Sequence, residues 1–353
     1  MKKKIKKWYM ERKNHDDVIV SCRVRLARNI SGFKFGKKIS NEEAEKLVSK
    51  VRSIKKEIEG KENIPFYSCD VSKLSVREKN LLLETHAINR EIFSKNQTTG
   101  LILSEDESLS IMINGRDHIN IAAVSTGSDI KNVAATAGRI DDLIDTRFKY
   151  VFAEKYGYLT SSLADVGTGL KASYLLFIPA IIRSGNLKSL EAELTRFGLM
   201  LEAEYTEDRQ NSYLYRLYNR RTLGIHESEI YESLEMVASQ IATLERQIRR
   251  RWYEGKSADI EEKVYRSYGL LKYARSLKYN EAMGLLTMVE FGRIFGILKT
   301  NELDYDIQRL MLEIQPAMLI ELCTPEDREV NFDRLRAEHI RNILPKIITE
   351  TED

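Results

Sequence analysis

The chain has 353 residues, 31% of them charged, and its 56 Lys and Arg only narrowly outnumber its 53 Asp and Glu. That length supports two or three domains with a substantial core, and so small a basic excess argues against a nucleic-acid binder. The longest apolar run, Tyr174 to Ile182, is too short to span a bilayer and carries Pro179.

The basic cluster Lys2, Lys3, Lys4, Lys6 and Lys7 is followed by no apolar stretch, so it reads as a solvated end and not as a signal peptide. Cys22, Cys69 and Cys323 are odd in number and far apart. That pattern argues against a disulfide framework or a zinc site and fits a reducing cytoplasm.

In chain order, Asp17 to Asn29 is the first clear element. Val18, Val20, Cys22, Val24 and Leu26 alternate with Ile19, Ser21, Arg23 and Arg25, which predicts a strand that buries the first set and projects the second. Arg23 and Arg25 then leave one face roughly 6.5–7 Å apart. Two guanidiniums at that separation suit neighbouring groups of a polyphosphate. The alternative is an edge strand that uses Arg to discourage aggregation.

Residues 41–59 carry a helical stripe with Ser40 as N-cap and Glu43 as its capping-box partner. Residues 76–93 repeat the pattern, with His86 at the margin of the stripe, where a structural role is expected before a catalytic one. From Thr98 the period changes to two. Leu101–Leu103, Leu109–Ile113 and, after the turn signal Asn114-Gly115, Arg116–Val124 predict an antiparallel meander. Residues 130–150 read as a helix and 155–160 as a loop. Gly167-Thr-Gly-Leu-Lys-Ala-Ser173 fails the Walker pattern, and its glycines read as a tight loop before a helix, with no ligand.

Residues 187–197 predict a helix, and 198–205 with 212–219 a second strand pair. The clearest helix runs from Glu227 to Tyr253 and closes on Arg249-Arg-Arg251, cations that would offset the dipole at a terminus. Glu254-Gly-Lys-Ser-Ala258 is the expected boundary. Four amphipathic helices beyond it (261–276, 280–298, 305–321, 332–348) describe a small helical domain.

Several of these motifs fall in a familiar order: Ser21-Cys-Arg-Val-Arg-Leu-Ala-Arg-Asn29, Asn114-Gly-Arg-Asp-His118, Tyr156-Gly-Tyr-Leu-Thr-Ser161, Val166-Gly-Thr-Gly-Leu-Lys-Ala-Ser173 and Val264-Tyr-Arg-Ser-Tyr-Gly269. Together they resemble the ATP:guanidino phosphotransferases, or phosphagen kinases, and within them the bacterial McsB-type protein arginine kinases. The resemblance implies an α+β fold, with an antiparallel sheet flanked by helices as in glutamine-synthetase-like catalytic domains. It implies a phosphotransferase domain over 1–254 and, over 259–353, a helical domain that dimerises and holds a phosphoarginine pocket. It also implies Mg-ATP as cosubstrate, γ-phosphoryl transfer to protein arginine, and a cytoplasmic homodimer. Its implied partners are a zinc-containing activator, a heat-shock repressor and Clp components.

Residue by residue, the match is uneven. Arg23 and Arg25 stand at two of the family's phosphate-binding positions. Both glutamates of the family's N-E-E-D-H, which carries the carboxylate that orients and deprotonates the acceptor, are replaced, by Gly115 and Arg116. A guanidinium loses its proton only with such a carboxylate against it. A third phosphate arginine is Asn120, the arginine of G-T-G-[LM]-R-A-S is Lys171, and the arginine of R-G-x-x-G-E is Glu202. The second substrate carboxylate survives as Glu207, and Arg209 and Lys171 are weaker substitutes at the phosphates. In the tail, Asp333 and Arg336 keep part of the phosphoarginine pattern, whose first arginine is Phe332. The resulting expectation is a degraded active site, hence a pseudokinase with a regulatory or scaffolding role. The alternatives are an active kinase with a rearranged site and a binding module for another anion.

Overall fold

The alternation over 17–29 becomes strand β1 (Ile19–Arg28). The computed structural model describes residues 6–10, 16–204, 213–299, 307–323 and 331–344. After β1 come α1 (Asn41–Arg52), α2 (Lys55–Glu62), β2 (Phe66–Asp70), α3 (Val76–Glu84), α4 (Arg90–Ser94), β3 (Gly100–Ser104), β4 (Leu109–Ile113), β5 (Ile119–Thr126) and α5 (Ile130–Arg147). Next are the two-residue strands β6 (Phe152–Ala153) and β7 (Gly157–Tyr158), then β8 (Leu170–Phe177), α6 (Pro179–Arg183), α7 (Leu187–Arg196), β9 (Leu199–Ala203) and β10 (Leu214–Asn219). The chain continues as α8 (Glu227–Tyr273), α9 (Tyr279–Ile294), α10 (Ile307–Glu313), α11 (Pro316–Cys323) and α12 (Phe332–Ile343).

Eight strands form one sheet in the order β2-β3-β4-β5-β1-β8-β10-β9. The β3-β4-β5 meander is as the period of two predicts, and β5 returns antiparallel to β1. β1 lies between β5 and β8, so the edge-strand alternative for Arg23 and Arg25 is overturned. Its central place also buries Ile19 and Ser21, which the alternation had assigned outward. Cys22, Val24 and Leu26 are buried on the face opposite the two arginines, and α5 packs on β1 and β5.

The Ser40 capping box forms as expected: Ser40 Oγ accepts from Glu43 N, and Glu43 returns a bond to Ser40 N. Ser75 and Glu78 repeat the motif at α3, but the helix predicted over 76–93 breaks between α3 and α4. His86 adopts φ +61° there. The apolar stripe survives the break, because Leu82, Ala87, Ile88 and Ile92 still pack on Leu101, Leu103, Met112 and Ala122 of the sheet.

Two compact units divide the chain out of sequential order. One comprises Met1–Leu176, Ser189–Glu202 and Arg216–Gln240, and the other Phe177–Lys188, Ala203–Tyr215 and Ile241–Asp353. In the second unit, α8 is two helices joined across a kink at Lys256, within the boundary expected at 254–258, so the helix predicted to Tyr253 does end close to there. Arg249 is 1% exposed, donates to Glu245 Oε1 at 2.6 Å and reaches the Phe177 carbonyl. Glu245 accepts the backbone N–H groups of Ala180 and Ile181. The predicted helix over 305–321 is two helices, parted before Pro316. No helix among the described residues is long and apolar enough to cross a membrane.

Candidate active site

Strand register gathers the sequence-predicted cations on one face of the first unit. Arg23 is paired across the sheet with Val124 and Ser173, Arg25 with Ala122 and Lys171, and Ala27 with Asn120. Arg25 and Lys171 thus stand directly opposite each other. Like charges at that position destabilise a sheet, and among the described residues Arg25 has neither a hydrogen bond nor an ion pair. Lys171 Nζ rests 4.1 Å from the centre of the Tyr218 ring, whose hydroxyl donates to Glu202 Oε1 at 2.5 Å. Burial and then Arg25 pull the Lys171 ammonium below the ordinary lysine range, Asp165 and Glu202 oppose that, and Arg116 adds to it. Arg23 is more constrained: its guanidinium donates to the His86 carbonyl at 2.9 Å. The role of His86 is therefore to anchor a guanidinium by its backbone.

The turn from β4 to β5 carries Arg116. Asn114, at φ +61°, closes the turn by donating its N–H to the His118 carbonyl and its side-chain amide to Thr98. Lys95 Nζ donates to Asn114 Oδ1 and to the Gly115 carbonyl, both at 2.9 Å. Asp117 is 5% exposed, and its Oδ1 accepts from Asn29 Nδ2 at 2.7 Å and from Ser161 N at 2.6 Å. His118 Nδ1 accepts from Ile30 N, which leaves Nε2 to donate to the Lys34 carbonyl. Burial holds that imidazole below its usual range, in keeping with a neutral bracing ring. Asp117 and His118 therefore pin the turn to the end of β1. At its tip Arg116 is half exposed and forms an ion pair with Glu91 of α4.

The glycine loop leads into a strand, not a helix. Leu170–Phe177 is buried at nearly every position, so it lacks the alternation that marks a half-exposed strand. Gly169, at φ +63°, has room for no side chain: a Cβ would lie 2.6 Å from the Ala27 carbonyl oxygen and from Arg28 Nη1. Arg28 is itself buried, bonded to Asp141 at 2.6 Å and stacked 3.6 Å from the Tyr158 ring centre. The glycines thus serve close backbone packing beside the cation cluster.

Glu207 and Arg209 lie outside the described residues. In the second unit Arg336 is 3% exposed and bonded to Asp333 Oδ1 at 2.7 Å and to the carbonyls of Leu277 and Ile314. Sequence reasoning missed Glu91 and Tyr218. Glu91 is 25 residues before Arg116 with no motif linking them, and Tyr218 is one of 17 tyrosines.

The family model described as the C-terminal catalytic domain of ATP:guanido phosphotransferases matches residues 44–248, and the C-terminal domain of the protein-arginine kinase McsB matches 257–353. A protein-arginine kinase of Desulforamulus reducens is 34% identical, over 98% of this chain and 97% of its own. The chain belongs to the McsB-type protein-arginine kinases of the ATP:guanido phosphotransferase family. Two further members are similar over most of their length: one from Caldanaerobacter subterraneus at 33% identity (94% of this chain, 98% of that one) and one from Bacillus velezensis at 32% (96% and 93%). The phosphagen-kinase fold is matched by a lombricine kinase (TM-score 0.56, 19% identity, 66% of this chain and 67% of that one). It is matched also by a duplicated taurocyamine kinase from Schistosoma mansoni (TM-score 0.58, 17% identity, 94% of this chain and 44% of that one). The family implies ATP use, with Mg as the usual companion ion, and the face carrying Arg23, Arg25 and Lys171 is positively charged.

Proposed function

We propose that this protein-arginine kinase homologue still binds the polyphosphate of Mg-ATP but transfers its γ-phosphoryl group weakly or not at all, acting as a regulatory or scaffolding pseudokinase. The observation that carries the reading is the β4–β5 turn. Gly115 has no side chain, Arg116 is a cation, and the Asp117 carboxylate is buried and holds Asn29 and the Ser161 amide. An arginine acceptor must lose a proton as it attacks, and none of these three groups is placed to take it. Loss of one positioned electrostatic partner commonly costs about 3–4 kcal/mol in the transition state, and phosphoryl transfer depends almost wholly on such positioning.

Arg23, Arg25 and Lys171 would hold the phosphates. ATP, when bound, supplies the transferable phosphoryl group. The protein partners that fit a scaffold are those of the family: a zinc-containing activator, a heat-shock repressor and Clp components, met by a homodimer in the cytoplasm. A second reading, an active kinase with a rearranged site, is favoured by Glu91, which brings a carboxylate beside the turn.

The deciding experiment is incubation with Mg-ATP and a basic protein, followed by mass spectrometry under conditions that preserve acid-labile phosphoarginine. The expected result is no modification above an Arg25→Ala control, whereas clear phosphorylation would sink the pseudokinase reading. Restoring Gly115→Glu and Arg116→Glu is expected to recover little, because Asn120 and Lys171 still lack the guanidinium fork. A large recovery would mean that the base alone was missing. A Cβ at Gly115 would lie 3.3 Å from Cδ1 and 3.6 Å from Cγ1 of the buried Ile92, which must give by a few tenths of an ångström, so thermal melting of the restored variant accompanies the activity measurement.

A further inference from the structure

We infer that Arg216 of β10 is a fourth phosphate-binding cation, which with Arg23, Arg25 and Lys171 completes a surface that takes a polyphosphate. This deepens the polyphosphate half of the reading above and rests on it.

Strand alternation puts Arg216 on the same face of β10 as Tyr218. Tyr218 fixes which face that is, because the Lys171 ammonium rests 4.1 Å from its ring centre. Two residues further along β8, Ser173 shares the face of Lys171 and stands opposite Arg23. Arg216 Nη1 donates to Ser173 Oγ at 3.4 Å, and that hydroxyl donates to the Arg23 carbonyl, also at 3.4 Å. The contacts of Lys171 with Tyr218 and of Ser173 with Arg216 run in opposite order along the two strands, as antiparallel neighbours require. Asn219 pins that register. Its Oδ1 accepts from Ala172 N at 2.8 Å, and its Nδ2 donates to the Leu170 carbonyl at 3.0 Å.

The face therefore has two rows. One carries Arg25 and Lys171 and ends on Tyr218, and the other carries Arg23, Ser173 and Arg216. The rows lie roughly 6.5–7 Å apart and neighbouring strands about 4.8 Å apart. All four cations are half-buried, where their mutual repulsion is stronger than in water. A multivalent anion is the ligand class that relieves it at all four together. Both bonds at Ser173 are longer than the usual hydrogen-bond range, so a phosphate oxygen between Arg23 and Arg216 would replace them with shorter, charge-assisted ones. Arg216 also supplies the planar fork that Lys171 lacks, on the strand between β8 and β9.

The test is isothermal titration of the full chain with Mg-ATP and with inorganic triphosphate, comparing wild type with Arg216→Gln and Arg216→Met. Each is first melted without ligand, and a variant that melts well below wild type is set aside. The expected result is a loss of affinity of about tenfold or more for both ligands, as removal of a hydrogen bond to a charged group would give. Wild-type affinity in a folded variant overturns the role. A second measurement needs no variant and decides the matter where neither folds. Wild type is treated with phenylglyoxal, which modifies accessible guanidiniums, with and without triphosphate, and the modified sites are read by mass spectrometry. Arg216 is expected to be protected by triphosphate along with Arg25, and equal modification of Arg216 in both samples overturns the role. Wild type that binds neither ligand sinks the polyphosphate reading and this role with it. Wild type that binds both, alongside folded Arg216 variants that bind equally well, sinks this role alone.

Discussion

At the scale of single residues, Lys171 carries a pH signature. Its ammonium holds its proton less tightly in the folded chain than in the unfolded one, because of burial and of Arg25 across the strand. Between that lowered value and the ordinary 10.5, the unfolded chain binds more protons, so stability rises with pH through the window. A bound polyphosphate favours the charged ammonium, so affinity for ATP falls through the same window. Calorimetric titration across alkaline pH is expected to show the fall in wild type and not in Lys171→Arg, and an unchanged profile in the variant would remove Lys171 from the phosphate site. Residues of this kind were partly legible in the sequence. Arg23 and Arg25 could be placed on one face because strand alternation is a local rule. The Glu91–Arg116 pair could not, because it depends on how α4 meets the β4–β5 turn.

At the scale of elements, the Arg249 triplet shows what periodicity misses. Cations near an expected helix end read as dipole partners, yet in the second unit Arg249 closes a buried network with Glu245, two backbone N–H groups and the Phe177 carbonyl. Arg249→Met fills much of the volume but leaves the Glu245 carboxylate without its guanidinium. The expected loss is about 3–5 kcal/mol of stability, measurable by urea unfolding, and a loss below the error of that measurement would show the pair to be dispensable. Gly169→Ala is a backbone counterpart. It combines a left-handed conformation, at about 1–2 kcal/mol, with a contact to the Ala27 carbonyl that must give way. A lower melting temperature is expected, together with weaker ATP binding through displacement of β8. The strand that follows this glycine was hard to read because both of its faces are buried, whereas the meander announced itself through its alternation and the Asn114-Gly115 turn.

At the scale of the whole molecule, ligand linkage offers the broadest check. The net charge of +3 gives no general affinity for anions, so stabilisation by phosphates must come from the cluster. Mg-ATP at a hundredfold excess over its dissociation constant is expected to stabilise the unit that binds it by about 2.7 kcal/mol. Inorganic triphosphate should reproduce a good part of the thermal shift, and Arg25→Ala should remove it. A shift that survives Arg25→Ala would place the nucleotide elsewhere. The antiparallel sheet with flanking helices and the helical tail followed from pattern and resemblance. The out-of-order division into compact units did not, because it follows contacts between segments far apart in sequence.

The β4–β5 turn has one more consequence. Its shape is set by Asn114, Asp117 and His118, through Thr98, Asn29, Ser161, Ile30 and Lys34, while the two positions between Asn114 and Asp117 contribute only backbone carbonyls to that bracing, accepting from Lys95 and Ser161. Those two positions are an exchangeable slot. A change of side chain there alters the charge the turn presents while the side-chain bonds that shape the turn stay in place.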